Sequence, residues 1–131
     1  AAARFNLGGD PKTLYDKAVS ASFLEWGLTN AQADDYLTAN PFDAVNWKKS
    51  IGQQAWVAMY NQANVSYNFY RRLDYPVLVA PLTAISNAEG KVPVRLQYPT
   101  LEASTNGTNY TNAGTAIGDD KLTTKLFWDK F

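Results

Sequence analysis

The sequence predicts a mainly α-helical fold. About four helices, paired as two helical hairpins, are followed by a long irregular segment rich in Pro, Gly and Asn with little β structure. Apolar residues recur at helical spacing through the first 75 residues, between residues that favour helix caps. From residue 76 onward helix signals stop and turn-forming residues dominate, so residues 76–131 are expected to be mostly loop.

The first predicted helix has a clear start and a clear end. Asp10 is a good N-cap, and Pro11 suits the first helical position because its missing N–H would have no partner there. Apolar and small residues at every fourth position predict an amphipathic helix over residues 11–26, with Gly27 as its C-cap. This stripe consists of Leu14, Ala18, Ser22 and Trp26, with Tyr15, Val19 and Phe23 beside it.

The next two predicted helices also begin at capping residues. Thr29 or Asn30 can cap a second helix, which the Asn-Pro pair at residues 40–41 ends. Asp43 can cap a third helix that runs to about residue 61. Its apolar stripe is formed by Trp47, Ile51, Ala55 and Met59, and it is widened by Trp56, Val57, Ala58 and Tyr60. A helix that is apolar on most sides is expected to lie between other elements.

The fourth predicted helix is the last one. It covers residues 65–73, and Pro76 prevents its continuation. Residues 92–99 alternate like a strand, but their two prolines limit them to an edge strand or a lone extended segment. Residues 102–120 are rich in Asn, Thr, Gly and Ala and read as irregular, and residues 126–131 form an aromatic terminus.

Composition excludes several classes of chemistry within these 131 residues. The chain has no Cys and no His, which excludes a thiol nucleophile, a Ser-His-Asp triad and the usual zinc ligands. Twelve basic and twelve acidic residues balance, without the basic block that a nucleic-acid footprint needs. We therefore expect no cofactor, no metal and no nucleic-acid partner. No apolar run is long enough to span a bilayer.

Arg71 and Arg72 stand where the helical half of the sequence meets the loop half. A guanidinium offers a planar fork of donors that can hold several carbonyls or one carboxylate. One interpretation is that the pair fastens the loops to the helices. The other is that it binds an anion such as a phosphate, which is less favoured because no Gly-rich cradle accompanies it.

The order of the motifs resembles the C-terminal part of the SusD/RagB-like nutrient-binding lipoproteins of Bacteroidetes. The motifs are residues 51–58 (IGQQAWVA), 70–76 (YRRLDYP), 92–99 (VPVRLQYP) and 126–130 (LFWDK), and residues 14–28 look like the helix that precedes them. Two positions depart from the pattern: Tyr70 stands where Trp is usual, and Asp74 where a small residue is more typical.

The resemblance implies a protein that captures nutrients and catalyses no reaction. It implies a mostly helical outer-membrane lipoprotein on the extracellular face, covering a SusC-like TonB-dependent transporter and capturing oligosaccharides, or peptides in some members. On this view residues 1–131 are one domain, the C-terminal fragment of a larger protein, and the only membrane contact is an N-terminal lipid anchor outside this chain. The family motifs are expected to be structural rather than ligand-binding. They contribute Arg71, Arg72, Pro76, Pro93, Arg95, Tyr98, Pro99 and Trp128.

Two alternatives to glycan capture by this chain remain. The chain can be an interaction module that contacts the transporter or the missing N-terminal half and has no ligand site of its own. It can also be a hydrolase that uses two carboxylates, for which Glu25, Glu89 and Glu102 are the glutamate candidates. For glycan binding, the aromatic residues considered first are Tyr67, Tyr70 and Tyr110, each with packing as its plainer role.

Overall fold

The computed structural model describes residues 1–83 and 86–129, and within them it contains seven α-helices, two short 3₁₀-helices and no strand. The mainly α-helical class is confirmed. The chain divides into two compact units, Ala1–Val77 and Leu78–Phe131. The helices are α1 (Ala2–Phe5), α2 (Pro11–Glu25), α3 (Asn30–Ala39), α4 (Trp47–Ala58), α5 (Ala63–Leu73), α6 (Thr100–Thr105) and α7 (Gly107–Ile117). None of these helices is long and apolar enough to cross a membrane, as judged over the described residues.

Local capping chemistry sets the start of α2 and of α3, as predicted. The carboxylate of Asp10 accepts hydrogen bonds from the backbone N–H and the hydroxyl of Thr13, both at 2.7 Å. Thr29 and Gln32 form a reciprocal capping box, in which each side chain accepts from the other residue's backbone N–H. Both caps satisfy N–H groups that a helix start would otherwise leave without partners.

Helix α4 begins three residues later than the sequence suggested. The side chain of Asp43 accepts from the backbone N–H groups of Val45 and Asn46 and from the Asn46 side chain, at 2.8–3.0 Å. These bonds close a turn before the helix, so that Asn46 becomes the N-cap and Trp47 the first helical residue. The helix also ends at Ala58 rather than near residue 61.

Helix α5 begins two residues before the predicted start and ends at the predicted place. It ends at Leu73, and Asp74 follows in the left-handed conformation with φ 61°. The Tyr75–Pro76 peptide bond is cis. Gly52 of α4 is buried beneath this turn, and a Cβ built on it would lie 2.7 Å from the Cβ of Tyr75.

In the second unit, the segment predicted to be irregular contains two helices, α6 and α7. The Thr and Asn content suggested a loop, but hydroxyls inside these helices bond back to the preceding turn. Thr105 donates to the carbonyl of Leu101 and Thr115 to that of Thr111, both at 2.9 Å. Gly118, in the left-handed conformation with φ 95°, ends α7.

Residues 92–99 form no strand, in agreement with the limit that their prolines imposed. The N–H groups of Val94 and Arg95 both donate to the carbonyl of Leu122, at 2.9 and 3.3 Å. Of the predicted aromatic terminus, residues 130–131 lie outside the described part of the chain. Phe127 opens a 3₁₀-helix and its side chain is 80% exposed.

Candidate functional site

An aromatic cluster joins α4 to α5 in the first unit, and we define it as Trp56, Tyr67, Tyr70 and Arg71. Trp56 packs edge-on against Tyr70, with ring centroids 6.4 Å apart. Tyr67 and Tyr70 are three residues apart on α5, which places both on one face of the helix, and their rings stack at 6.3 Å. The guanidinium of Arg71 lies 5.4 Å from the ring centre of Tyr67. The cluster therefore consists of contacts between α4, which carries Trp56, and α5, which carries the other three residues.

The exposure of this cluster suits a contact with a ligand. Trp56 is 37% exposed, and Tyr67, Tyr70 and Arg71 are half-buried. Partial burial raises the pKa of the Tyr67 hydroxyl, against the opposing effect of Arg71, and burial with the nearby Asp74 charge raises that of Tyr70. Both phenols therefore stay protonated at neutral pH and can donate hydrogen bonds beside apolar ring faces.

The two arginines singled out in the sequence differ in their surroundings. Arg71 is half-buried against Tyr67, whereas the side chain of Arg72 is exposed. Both lie in the last turn of α5, where the helix dipole favours positive charge. Their suggested role in fastening the loops stays a prediction.

The first unit also contains an open groove of about 470 Å³. Helix α2 lines it with Leu14, Ala18 and Ser22, and α4 lines it with Ile51, Ala55 and Ala58. These are members of the two stripes that the sequence predicted to be packed. Tyr15 and Val19, on the neighbouring line of α2, also line the groove and are the buried residues of this helix.

Two of the polar side chains that line this groove have hydrogen-bond partners within the fold. The hydroxyl of Tyr15 donates to the carbonyl of Asn40 at 2.8 Å, and the Gln54 side chain accepts from the Tyr36 hydroxyl at 3.0 Å. Glu25 is also at the groove. Ser22 and Gln62 are the remaining polar side chains in a wall that is otherwise mainly apolar.

Asp120 organises the second unit, a role that the sequence did not reveal. Its carboxylate forms an ion pair with Arg95, at 3.0 Å from Nη1, although the N–H groups of Nη1 are not directed at it for a hydrogen bond. The two carboxylate oxygens accept from the backbone N–H of Tyr98, at 3.1 and 3.2 Å. The Tyr110 hydroxyl is 3.4 Å from it. The Arg95 guanidinium lies 5.0 Å from the Tyr98 ring. Tyr110 is thus engaged with Asp120 and with the Tyr98 ring, at 6.3 Å, rather than forming a separate platform.

The remaining family-motif residues are placed as follows. Pro99 is the residue before α6, Pro93 is half-buried, and Pro76 follows the cis peptide bond. Trp128 is half-buried in the 3₁₀-helix Phe127–Asp129. The sequence signal for Asp120 is the acidic pair at residues 119–120, which favours a capped turn over a calcium ligand and does not indicate Arg95 as a partner.

The glutamates considered for hydrolysis have separate surroundings. Glu25 lies at the groove in the first unit. Glu89 accepts from Lys121 at 2.6 Å and from Thr123 at 2.8 Å. Glu102 accepts from the Asn106 side chain at 3.1 Å. Across the described residues, no group of three or more His, Cys, Asp or Glu side chains is arranged to hold a metal ion.

Comparison with known proteins identifies the family. The SusD-like family model described as "Starch-binding associating with outer membrane" matches residues 1–99. A solved structure named Bacteroidetes AC2a SusD-like has a TM-score of 0.78 and 26% identity over 100% of this chain and 28% of its own. A solved chitin-binding protein has a TM-score of 0.69 and 33% identity over 95% of this chain and 29% of its own. No curated protein matches. This chain, which spans less than a third of either solved chain, belongs to the SusD-like family.

Proposed function

We propose that this chain is part of a cell-surface protein that captures oligosaccharides, and that the aromatic cluster contacts the sugar rings. The cluster is the observation that carries the proposal. Stacked tyrosines and a partly exposed tryptophan offer flat apolar faces for the C–H surfaces of sugars, and phenol hydroxyls stand beside them. The family description names starch, and one similar structure is named for chitin binding, so both support a glycan ligand.

The proposed activity is capture without catalysis. The family is one of binding proteins. Glu89 is engaged with Lys121 and Thr123, and Glu102 accepts from the Asn106 side chain. Catalysis would be revealed by release of reducing ends from starch or chitin oligosaccharides, and its loss in Glu102→Gln would assign it to that residue.

The protein is proposed to act on the extracellular face of the outer membrane, held by an N-terminal lipid anchor outside this chain. It would pass its ligand to a SusC-like TonB-dependent transporter. The family description supports the membrane association. Co-purification of the native protein with a TonB-dependent transporter would test the partner, and surface protease accessibility in intact cells would test the location.

The ligand test is calorimetric titration of the full-length natural protein with maltooligosaccharides, chitooligosaccharides and a peptide mixture. Tyr70→Ala and Trp56→Ala are expected to weaken glycan binding about tenfold, because each removes a stacking face. Tyr70→Phe keeps the face and should bind nearly as the wild type does. Trp26→Ala is the matched control, since Trp26 is 59% exposed at the end of α2 and outside the cluster.

Three results would contradict the proposal. Absence of binding to every glycan would remove the function itself. Binding of peptides alone would change the ligand class. An equal loss of affinity in Trp26→Ala and Tyr70→Ala would show that the effect of Tyr70→Ala is not specific to the aromatic cluster.

A further inference from the structure

Asn106 lies at the junction of α6 and α7 and is followed by Gly107. Its backbone N–H donates to the Glu102 carbonyl at 2.9 Å, and its own carbonyl accepts from the Tyr110 N–H at 3.0 Å. Asn106 therefore closes the last turn of α6 and opens the first turn of α7. It is exposed to solvent, and asparagine is one of the thermolabile residue types.

Gly107 places an accessible backbone nitrogen next to the side-chain amide of Asn106. It is the first residue of α7, so its N–H is one of those that a helix start leaves without an intrahelical acceptor. A glycine has no Cβ to hinder a close approach to its backbone. A Cβ built on Gly107 would meet nothing within 4 Å, and its φ is not positive. Neither tight packing nor a left-handed backbone therefore requires a glycine here.

We propose that Asn106 is a site of spontaneous deamidation, and that unwinding of the first turn of α7 controls its rate. The nitrogen of Gly107 attacks Cγ of Asn106 and forms an N–Cγ bond, which closes a succinimide ring. The Cγ–Nδ2 bond breaks, and Nδ2 leaves as ammonia with the former Gly107 N–H proton. Water then opens the ring at either of its carbonyls and leaves aspartate or isoaspartate at position 106. No glycan takes part, so the proposal is independent of the proposed function.

The folded backbone holds the reacting atoms apart. Ring closure requires the Gly107 nitrogen and Cβ of Asn106 to lie on the same side of the Cα–C bond, which in an L-residue needs a strongly negative ψ. Asn106 has ψ 39°, which places the nitrogen on the opposite side. Its side chain is also held, because Nδ2 donates to Glu102 at 3.1 Å and Oδ1 accepts from Asn109 at 2.7 Å. Reaction therefore requires a local opening at the start of α7.

The products would weaken the connection between the two helices. The Nδ2 group that donates to Glu102 would be replaced by an oxygen, so that two carboxylates four residues apart would face each other. Isoaspartate would also add a methylene to the main chain, between the backbone hydrogen bonds that end α6 and begin α7.

Peptide mapping by mass spectrometry tests the proposal on the full-length natural protein during incubation in mildly alkaline buffer. We expect both aspartate and isoaspartate to accumulate at position 106. Asn112 is the internal control, because it is exposed on the same helix but is followed by Ala113. The rate at Asn106 should be lower in the native protein than in guanidinium chloride, by about tenfold or more.

Variants at two positions separate the chemistry from the opening. Gly107→Ala should slow the reaction by about tenfold or more even in guanidinium chloride, because the new Cβ crowds the attacking nitrogen. Thr108 is exposed in the first turn of α7. In the native protein, Thr108→Gly should react about threefold faster than Thr108→Ala or more, because glycine destabilises the turn. In guanidinium chloride these two variants should react at equal rates.

Each part of the proposal has a result that would overturn it. An unmodified Asn106 in the native protein, or equal rates at Asn106 and Asn112, would remove the site. An unchanged rate for Gly107→Ala in guanidinium chloride would contradict attack by the Gly107 nitrogen. Equal native rates for the two Thr108 variants would contradict control by unwinding of α7.

Discussion

The guanidinium of Arg95 lies 3.0 Å from the carboxylate of Asp120, and the two side chains are only 6% and 9% exposed. This ion pair connects the segment before α6 with the segment after α7, so one contact joins two parts of the second unit that are 25 residues apart in the sequence. The Tyr98 backbone N–H and the Tyr110 hydroxyl surround the same carboxylate.

Removing one partner of this pair should be strongly destabilising. Arg95→Met or Asp120→Asn leaves a buried charge without compensation, which typically costs about 3–5 kcal/mol in the free energy of unfolding. Chemical denaturation of each variant measures this cost. The control is Lys12→Met, which removes an exposed pair with Asp16 and should cost less than about 1 kcal/mol. Equal effects in Arg95→Met and Lys12→Met would contradict the importance of the buried pair.

Gly52→Ala is expected to destabilise the first unit, although alanine is the better helix former. The new Cβ would lie 2.7 Å from the Cβ of Tyr75 and 3.1 Å from its carbonyl oxygen, so backbone must move. Overpacking of this kind typically costs about 1–3 kcal/mol.

Gly114→Ala in α7 provides the matched control for Gly52→Ala. The nearest atom to its new Cβ is 4.0 Å away, and the glycine is helical, so the substitution should stabilise by about 0.5–1 kcal/mol. Denaturation of the two variants should therefore shift in opposite directions. Stabilisation by Gly52→Ala would contradict the prediction, because it would mean that the turn at Tyr75 can shift to accommodate the new Cβ without a cost in free energy.

Glu89 should contribute stability that disappears in acid. Hydrogen bonds from Lys121 and then Thr123 lower the pKa of Glu89 below its ordinary value of 4.5. A carboxyl with a lowered pKa in the folded state contributes stability above its unfolded pKa, and the contribution is lost as pH falls through the folded value. The difference in unfolding free energy between the wild type and Glu89→Gln should thus be largest near neutral pH and vanish below about pH 3.

Lys121, the basic partner of Glu89, contributes stability that is lost at high pH. Hydrogen bonding and the charge of Glu89 raise the pKa of Lys121 above its ordinary value of 10.5, so its contribution is lost as pH rises through that higher value. Because the two side chains are 44% and 41% exposed, added salt should reduce the effect. A Glu89→Gln difference that is constant from about pH 3 to pH 7 would contradict the interaction.

Local signals in the sequence were sufficient where a cap involves residues close in the chain. Asp10 with Thr13, and Thr29 with Gln32, set helix starts through contacts three residues apart. The start of α4 was predicted wrongly at Asp43, because an Asp side chain can either cap a helix or close a turn. Here it accepts from the N–H groups of Val45 and Asn46 and closes a turn. Composition alone also hid α6 and α7, since Thr and Asn are compatible with helix once their side chains bond within it.

The sites depended on contacts that no local pattern encodes. Tyr67 and Tyr70 could be placed on one helix face from their spacing, but their packing with Trp56 of α4 required the fold. The pairing of Arg95 with Asp120 is equally non-local. The stripes of α2 and α4 were read correctly as apolar, yet spacing could not say that one face of α2 would line an open groove.

Tyr15 contributes both to the lining of the groove and to a hydrogen bond at the end of α3. It is one of the residues that line the groove, and its hydroxyl donates to the Asn40 carbonyl at the end of α3. Tyr15→Phe therefore releases the carbonyl and preserves the aromatic wall. Removal of this single oxygen thus separates the anchoring of the α3–α4 connection from the lining of the groove.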